Sequence, residues 1–209
     1  MIHIERPGRL PYGEALQLQL AMLERRRKGE IPDTVLLLEH EPVYTIGRTR
    51  DQSSLREPTQ LPYPVVEISR GGQATYHGPG QLVGYLILDL NRYGRDLHVY
   101  LRTLESMLID TCGNFGLNTG RREGLTGVWS EERKLASIGV GVRHWISLHG
   151  FAINITGDLT PFQSITPCGI SDVQMTSLSQ EIAREVSTEE FADELIPNLK
   201  RNLAERRKP

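Results

Sequence analysis

The 209-residue sequence has only two cysteines, Cys112 and Cys168, too few for a disulfide framework. In a reducing compartment each is either a small buried hydrophobe or a reactive thiol. An excess of charge of either sign is also missing: 24 Lys+Arg stand against 26 Asp+Glu, a formal net charge of −2. A general nucleic-acid binder needs a strongly basic face, so that class is disfavoured. The longest purely aliphatic run is Val35-Leu36-Leu37-Leu38, far short of the roughly 20 residues that span a bilayer. The amino terminus, Met1-Ile2-His3-Ile4-Glu5-Arg6-Pro7, has neither a signal peptide's apolar core nor a transit peptide's acid-free pattern. The expectation is a soluble, cytoplasmic protein. CxxC, HExxH and paired His/Asp clusters are lacking, so no metal is expected, and no GxxxxGK[ST] phosphate loop occurs.

What is present is an ordinary globular mix, 38% apolar and 24% charged, in a length that suits one domain, 1–209. Leu16, Leu20 and Leu23 follow helical spacing within 11–27. That segment ends in Arg25-Arg26-Arg27-Lys28-Gly29, cations at the helix's negative end and then a glycine stop. Strands are predicted at 34–39, 43–46, 65–69, 81–90, 128–129, 134–142 and 145–155. Residues 48–62 read as a surface loop. Leu97, Leu101, Leu104, Leu108, Cys112 and Phe115 predict one face of a helix over 96–115. Thr176 or Ser177 suits the cap of a short helix to Ala183, and Ser187 with Glu190 is a capping box opening a last helix to about Arg206. Strands interleaved with a few helices give an α/β or α+β domain with a mixed sheet.

Chemistry concentrates in Ser69-Arg70-Gly71-Gly72-Gln73-Ala74-Thr75-Tyr76-His77-Gly78-Pro79-Gly80-Gln81. Four glycines between two strands serve either as a tight connection or as backbone free to approach a ligand, with N–H groups turned outward. Cys112 falls in phase with its helix's apolar stripe and reads as core. Cys168 sits between Pro167 and Gly169 in a loop, where a thiol is open to attack. Among the histidines, His3, His98 and His144 read as surface or loop residues, His40 as near the site, His149 as a satisfied core residue or one standing behind the site, and His77 as the best pocket candidate.

The run RGGQATYHGPGQ, followed by Leu82-Val83-Gly84-Tyr85, closely resembles the signature of the lipoyl(octanoyl) transferases. Gly127-Val128-Trp129 with Arg133-Lys134-Leu135-Ala136-Ser137-Ile138-Gly139 is similar to that family's lysine segment. His149-Gly150-Phe151-Ala152-Ile153-Asn154 is similar to its central strand, and Ile165-Thr166-Pro167-Cys168-Gly169-Ile170 to its cysteine segment. The resemblance covers nearly the whole chain, excepting the ends before about 33 and after 185. It implies the lipoate/biotin protein ligase-like fold, a mixed, largely antiparallel sheet flanked by helices.

It further implies an acyltransferase that moves an octanoyl or lipoyl group from acyl carrier protein to a lysine of a lipoyl domain, through a thioester on Cys168. Lys134 is the cation that favours the Cys168 thiolate. Arg70, Gly71, Gly72, Gln73, Ala74, Thr75, Tyr76 and His77, with Ser137, Ile138, Gly139, Gly150, Phe151 and Ala152, would bind the acyl group. Backbone N–H groups beside Gly78 and Cys168 are oxyanion donors to consider. The eight-carbon chain is expected in an apolar slot, about 0.8 kcal/mol for each buried methylene. A side chain at Gly72 is expected to obstruct that slot and leave the fold intact. No cofactor is implied beyond the phosphopantetheine that delivers the acyl group. The partners implied are octanoyl-acyl carrier protein and apo lipoyl domains, of 2-oxoacid dehydrogenase E2 subunits and the glycine cleavage H protein. Neither nucleic acid nor membrane is a partner, and the chain is expected as a monomer. Arg25–Lys28 and Arg121-Arg122 are candidate docking cations for the acidic carrier. Two other classes compete: an ATP-dependent lipoate or biotin ligase on the same fold, and a non-enzymatic carrier-binding module.

Overall fold

The computed structural model describes residues 2–47, 54–55, 61–68, 70–166 and 173–207. Its main sheet has the strand order β1-β2-β6-β9-β8-β10, with β7 paired to β8. These are β1 (Ile2–Leu10), β2 (Asp33–His40), β6 (Gln81–Ile87), β7 (Val128–Ser130), β8 (Arg133–Arg143), β9 (Ile146–Asn154) and β10 (Gln174–Met175). β1–β2 and β8–β10 run parallel and the other pairs antiparallel, so the sheet is mixed and largely antiparallel.

The central strands are apolar on both faces because both faces are covered. In β2, Val35 and Leu37 join one core cluster and Leu36 and Leu38 the other. The first cluster lies under α2 (Leu97–Asn114) and α4 (Thr188–Arg206), where Phe115 and Phe191 stack at 5.5 Å. The second lies under α1 (Tyr12–Arg27) through Ala15, Met22 and Leu23. Ser187 caps α4, its side chain accepting from Glu190 N at 3.0 Å, and Ser177 caps α3 (Leu178–Ile182). The stripe of α2 is rotated from the predicted one. Tyr100 and Met107 are buried in the core, whereas Leu97 is exposed and Leu101 half-buried.

A second sheet, order β4-β3-β5, comprises β3 (Val43–Ile46), β4 (Val65–Glu67) and β5 (Thr75–His77). Its short strand β5 lies inside the glycine-rich stretch, which is therefore more than a connection between strands. Ala74 and Tyr76 turn to a small core with Tyr44, Phe162 and Ile165, leaving Thr75 and His77 for the opposite side. Most of the predicted 48–62 loop lies outside the described residues.

Candidate active site

Strand register builds the site's floor. Ser137, Ile138 and Gly139 of β8 pair residue for residue with Ala152, Phe151 and Gly150 of β9. Two segments predicted separately from sequence are thus one patch. Gly139 faces Gly150 across the ladder, so the sheet is bare of side chains there and the Arg70–Gly72 segment can settle on it. A Cβ on Gly139 would lie 3.0 Å from Arg70 Cδ and 3.2 Å from Gly71 O. Gly71 N donates to Val140 O at 3.2 Å, tying the segment to the strand. The slot between them is lined also by Thr75, His77, Val83, Tyr12, Tyr85 and His149. Phe151 and Ile138 pack their side chains toward the α2–α4 core. The apolar side chains left to the slot are Val83 and Ala152, and the rest is backbone and polar groups. Gln73, Ala74 and Tyr76 do not line it.

Arg70 is buried and forks across the segment. Nη1 donates to Gly71 O at 3.0 Å, and Nη2 donates to Thr45 O at 3.0 Å and Thr45 Oγ1 at 2.9 Å. Thr45 Oγ1 lies 3.4 Å from His77 Nε2, and His77 Nδ1 lies 2.7 Å from Gln81 Oε1. Gln81 donates through Nε2 to Tyr76 O and Asn154 Oδ1, so its Oε1 is an acceptor. The pattern therefore assigns the imidazole proton to Nδ1 and makes Nε2 the acceptor from Thr45. Asn154 continues the chain by donating to Thr176 O at 3.0 Å. Burial, with the charges of His40, Arg70 and His149 against it, pushes His77 well below the ordinary imidazole value.

His40 is fully buried behind His77, its Nδ1 2.9 Å from Leu10 O and Nε2 2.6 Å from Tyr85 Oη. Burial lowers its pKa to about 4. Of the two readings expected for His149, the residue departs from the satisfied core position and fits the one behind the site, since it borders the slot. Neither ring nitrogen has a partner among the described residues, and its backbone sits at φ +59° in mid-strand. Burial and then Arg70 and Arg143 lower it to about 4 as well. Sequence reasoning also passed over Tyr12 and Val83. The Tyr12 ring stacks on His77 at 6.0 Å, a contact that needs the helix start and a remote strand together.

Gly72 corrects another expectation. Its φ is +84°, so a branched side chain there strains the backbone whatever room it finds. The helix-end cations are corrected in part: Arg26 is interior, donating from Nε to Asp33 Oδ1 at 2.8 Å, and Arg27 pairs with Glu24. Arg121 is bound to buried Glu105 and Arg122 to Glu132.

Lys134 is fully buried near the start of β8. Its carbonyl accepts from Thr176 N at 3.0 Å, and Met175 is its register partner. Cys168 lies outside the described residues. The flanking chain is placed: Thr166 N donates to Ser54 O at 2.7 Å, and β10 follows at Gln174 beside Lys134.

A mixed sheet flanked by helices, with a glycine-floored slot and a small second sheet, is the architecture of the lipoate- and biotin-protein ligase fold. A lipoate-protein ligase A bound with ATP superposes with TM-score 0.77 at 15% identity, over 97% of this chain and 85% of that one. A biotin protein ligase of Aquifex aeolicus gives 0.63 at 12%, over 97% and 71%. The model of the lipoyl protein ligase A/B catalytic domain matches residues 11–200, and the chain belongs to that family. An octanoyltransferase of Geobacter sulfurreducens is 52% identical over 181 residues, 87% of this chain and 76% of that protein. One from Synechococcus elongatus is 51% identical over 173 residues, 82% and 74%.

Proposed function

We propose that this chain is an octanoyltransferase of protein lipoylation that works by two acyl transfers at Cys168. In the first, the Cys168 thiolate attacks the thioester carbonyl of octanoyl-acyl carrier protein. The new C–S bond forms as the carrier's phosphopantetheine thiolate leaves and takes up a proton. In the second, the ε-amine of a lipoyl-domain lysine attacks the acyl-cysteine, the amide forms, and Cys168 departs as thiolate. Lys134 as ammonium stabilises the Cys168 thiolate, gives its proton to the departing phosphopantetheine thiolate, and as the neutral amine then takes the proton of the incoming amine. No ATP or resident cofactor enters. The acceptors are apo lipoyl domains, including E2 subunits and the H protein, and the chain works as a cytoplasmic monomer.

The observation that carries this reading is the position of Lys134. It is fully buried on β8, the strand that carries slot-lining Ser137 and Gly139, and beside the strand that follows the Cys168 segment. His77 supports it from the other side: with both nitrogens engaged and its proton fixed, it is a poor general base. Oxyanion donors fall to backbone N–H groups near Gly78 and Cys168.

The test is intact-protein mass spectrometry after mixing with octanoyl-acyl carrier protein in the absence of ATP. One octanoyl adduct is expected in the wild type and Cys112→Ala, and none in Cys168→Ala. An adduct carried by Cys112, or a requirement for ATP, would overturn the assignment.

A further inference from the structure

The reading above needs an ammonium kept charged in a fully buried position, and burial works against that charge. We propose that Trp129 is the positioning residue for Lys134, holding its ammonium against the indole face. The inference rests on the acyl-transfer reading only for its consequence in catalysis. The contact itself stands on geometry.

Trp129 and Lys134 are register partners in the β7–β8 pair, and Lys134 Nζ lies 5.3 Å from the indole centroid. Both side chains are essentially inaccessible, at 1% and 0% exposure. A buried indole usually gives its N–H a hydrogen bond. Trp129 Nε1 has no partner among the described residues, so the ring's face and not its donor explains its burial here. Desolvated contacts of this kind are the strong ones.

The strand before the tryptophan is shaped to the lysine's stem. Gly127 sits at φ +135°, and a Cβ there would lie 3.0 Å from Lys134 Cε and 2.5 Å from Ala136 O. Gly127 N donates to Glu105 Oε1 at 3.1 Å, and the other oxygen of that fully buried carboxylate takes Arg102 Nη1 and Arg121 Nε, each at 2.7 Å. Arg122 lies 4.9 Å from the same indole and is paired with Glu132. On the β10 side, Arg133 is held by Glu181, which also accepts from Ser130 and Thr176. These arginines near Lys134 thus each have a carboxylate partner, and the indole is shared between the ion-paired Arg122 and the Lys134 ammonium.

The test titrates Lys134 in the full chain with 13Cε-labelled lysine, its resonance assigned by loss in Lys134→Met. Trp129→Leu should lower the Lys134 midpoint by about one pH unit, and Trp129→Phe by less, following the order of ring strength. The pH profile of Cys168 alkylation should move upward in Trp129→Leu. It should move no further in Trp129→Leu/Lys134→Met than in Lys134→Met alone, the non-additivity of two residues acting through one. An unmoved Lys134 midpoint in folded Trp129→Leu, or additive effects on Cys168, would overturn the proposal. If the leucine variant does not fold, the same titration in Trp129→Phe and Trp129→Tyr decides, and equal midpoints in both and the wild type defeat it. A Cys168 profile unmoved by Lys134→Met would instead sink the catalytic reading of Lys134, while its midpoint still judges the indole contact.

Discussion

Cys112 shows how burial alone disposes of a nucleophile. It lies within the α2–α4 core, fully inaccessible, and burial pushes its thiol up to about 12. Near pH 8 a thiol so placed holds almost no thiolate. Iodoacetamide should therefore leave Cys112 unmodified in the folded protein and reach it only in urea, as peptide mapping will show. Labelling of Cys112 under native conditions would mean that α2 opens. Arg70 makes the complementary case for a charge whose geometry matters more than its sign. Its fork spans Gly71 O, Thr45 O and Thr45 Oγ1. Lysine keeps the cation and loses the fork. Arg70→Lys should lower unfolding free energy by about 1–3 kcal/mol, the range for buried hydrogen bonds left unmade. Urea denaturation at neutral pH measures it, and an unchanged midpoint would mean that the fork holds nothing together.

At the scale of elements, the glycines of the site separate into those that carry strand pairing and those that leave room. A Cβ on Gly150 would meet Gly84 O at 2.3 Å across the β6–β9 ladder, a backbone contact with nowhere to go. Gly72 is confined by its φ of +84°, whereas a Cβ on Gly71 meets only Val140 O at 3.8 Å. Gly150→Ala and Gly72→Val should each lose about 1–3 kcal/mol of stability. Gly71→Val should melt like the wild type and lose octanoyl transfer, because it alone adds bulk to the slot without strain. A Gly71→Val enzyme of normal activity would take the segment out of the acyl site. The elements themselves were largely legible: the caps at Ser177 and Ser187, the α1 stop and the strands at 33–40 and 146–154 follow from local chemistry. The second sheet was not, because β5 is three residues inside a glycine-rich stretch and gains its partners only from β3. Nor was the pairing of 137–139 with 150–152, although it joins two segments that sequence had already marked. The unusual backbone of His149 was not legible either, since a histidine in an apolar strand gives no sign of a positive φ.

For the molecule as a whole, the three histidines around the slot set how stability responds to acid. His40 and His149 are lowered to about 4 and His77 lies well below its ordinary value, each chiefly through burial. The unfolded chain binds these protons near pH 6.5, so below that pH it holds more protons than the native state. Their contribution is fully present above about pH 6.5 and is lost as pH falls toward 4, at up to about 1.4 kcal/mol per pH unit for each histidine. Unfolding at about pH 5 should then take up close to three protons from this cluster, readable as the slope of urea-unfolding free energy against pH. His149→Asn is the test of the assignment, because asparagine tolerates the positive φ that position requires. It should reduce the uptake by about one proton and cost little stability above pH 7, since the imidazole it removes makes no hydrogen bond among the described residues. A slope that is the same in both proteins would show that the imidazole of His149 is charged inside the fold, or that the strand opens before it titrates.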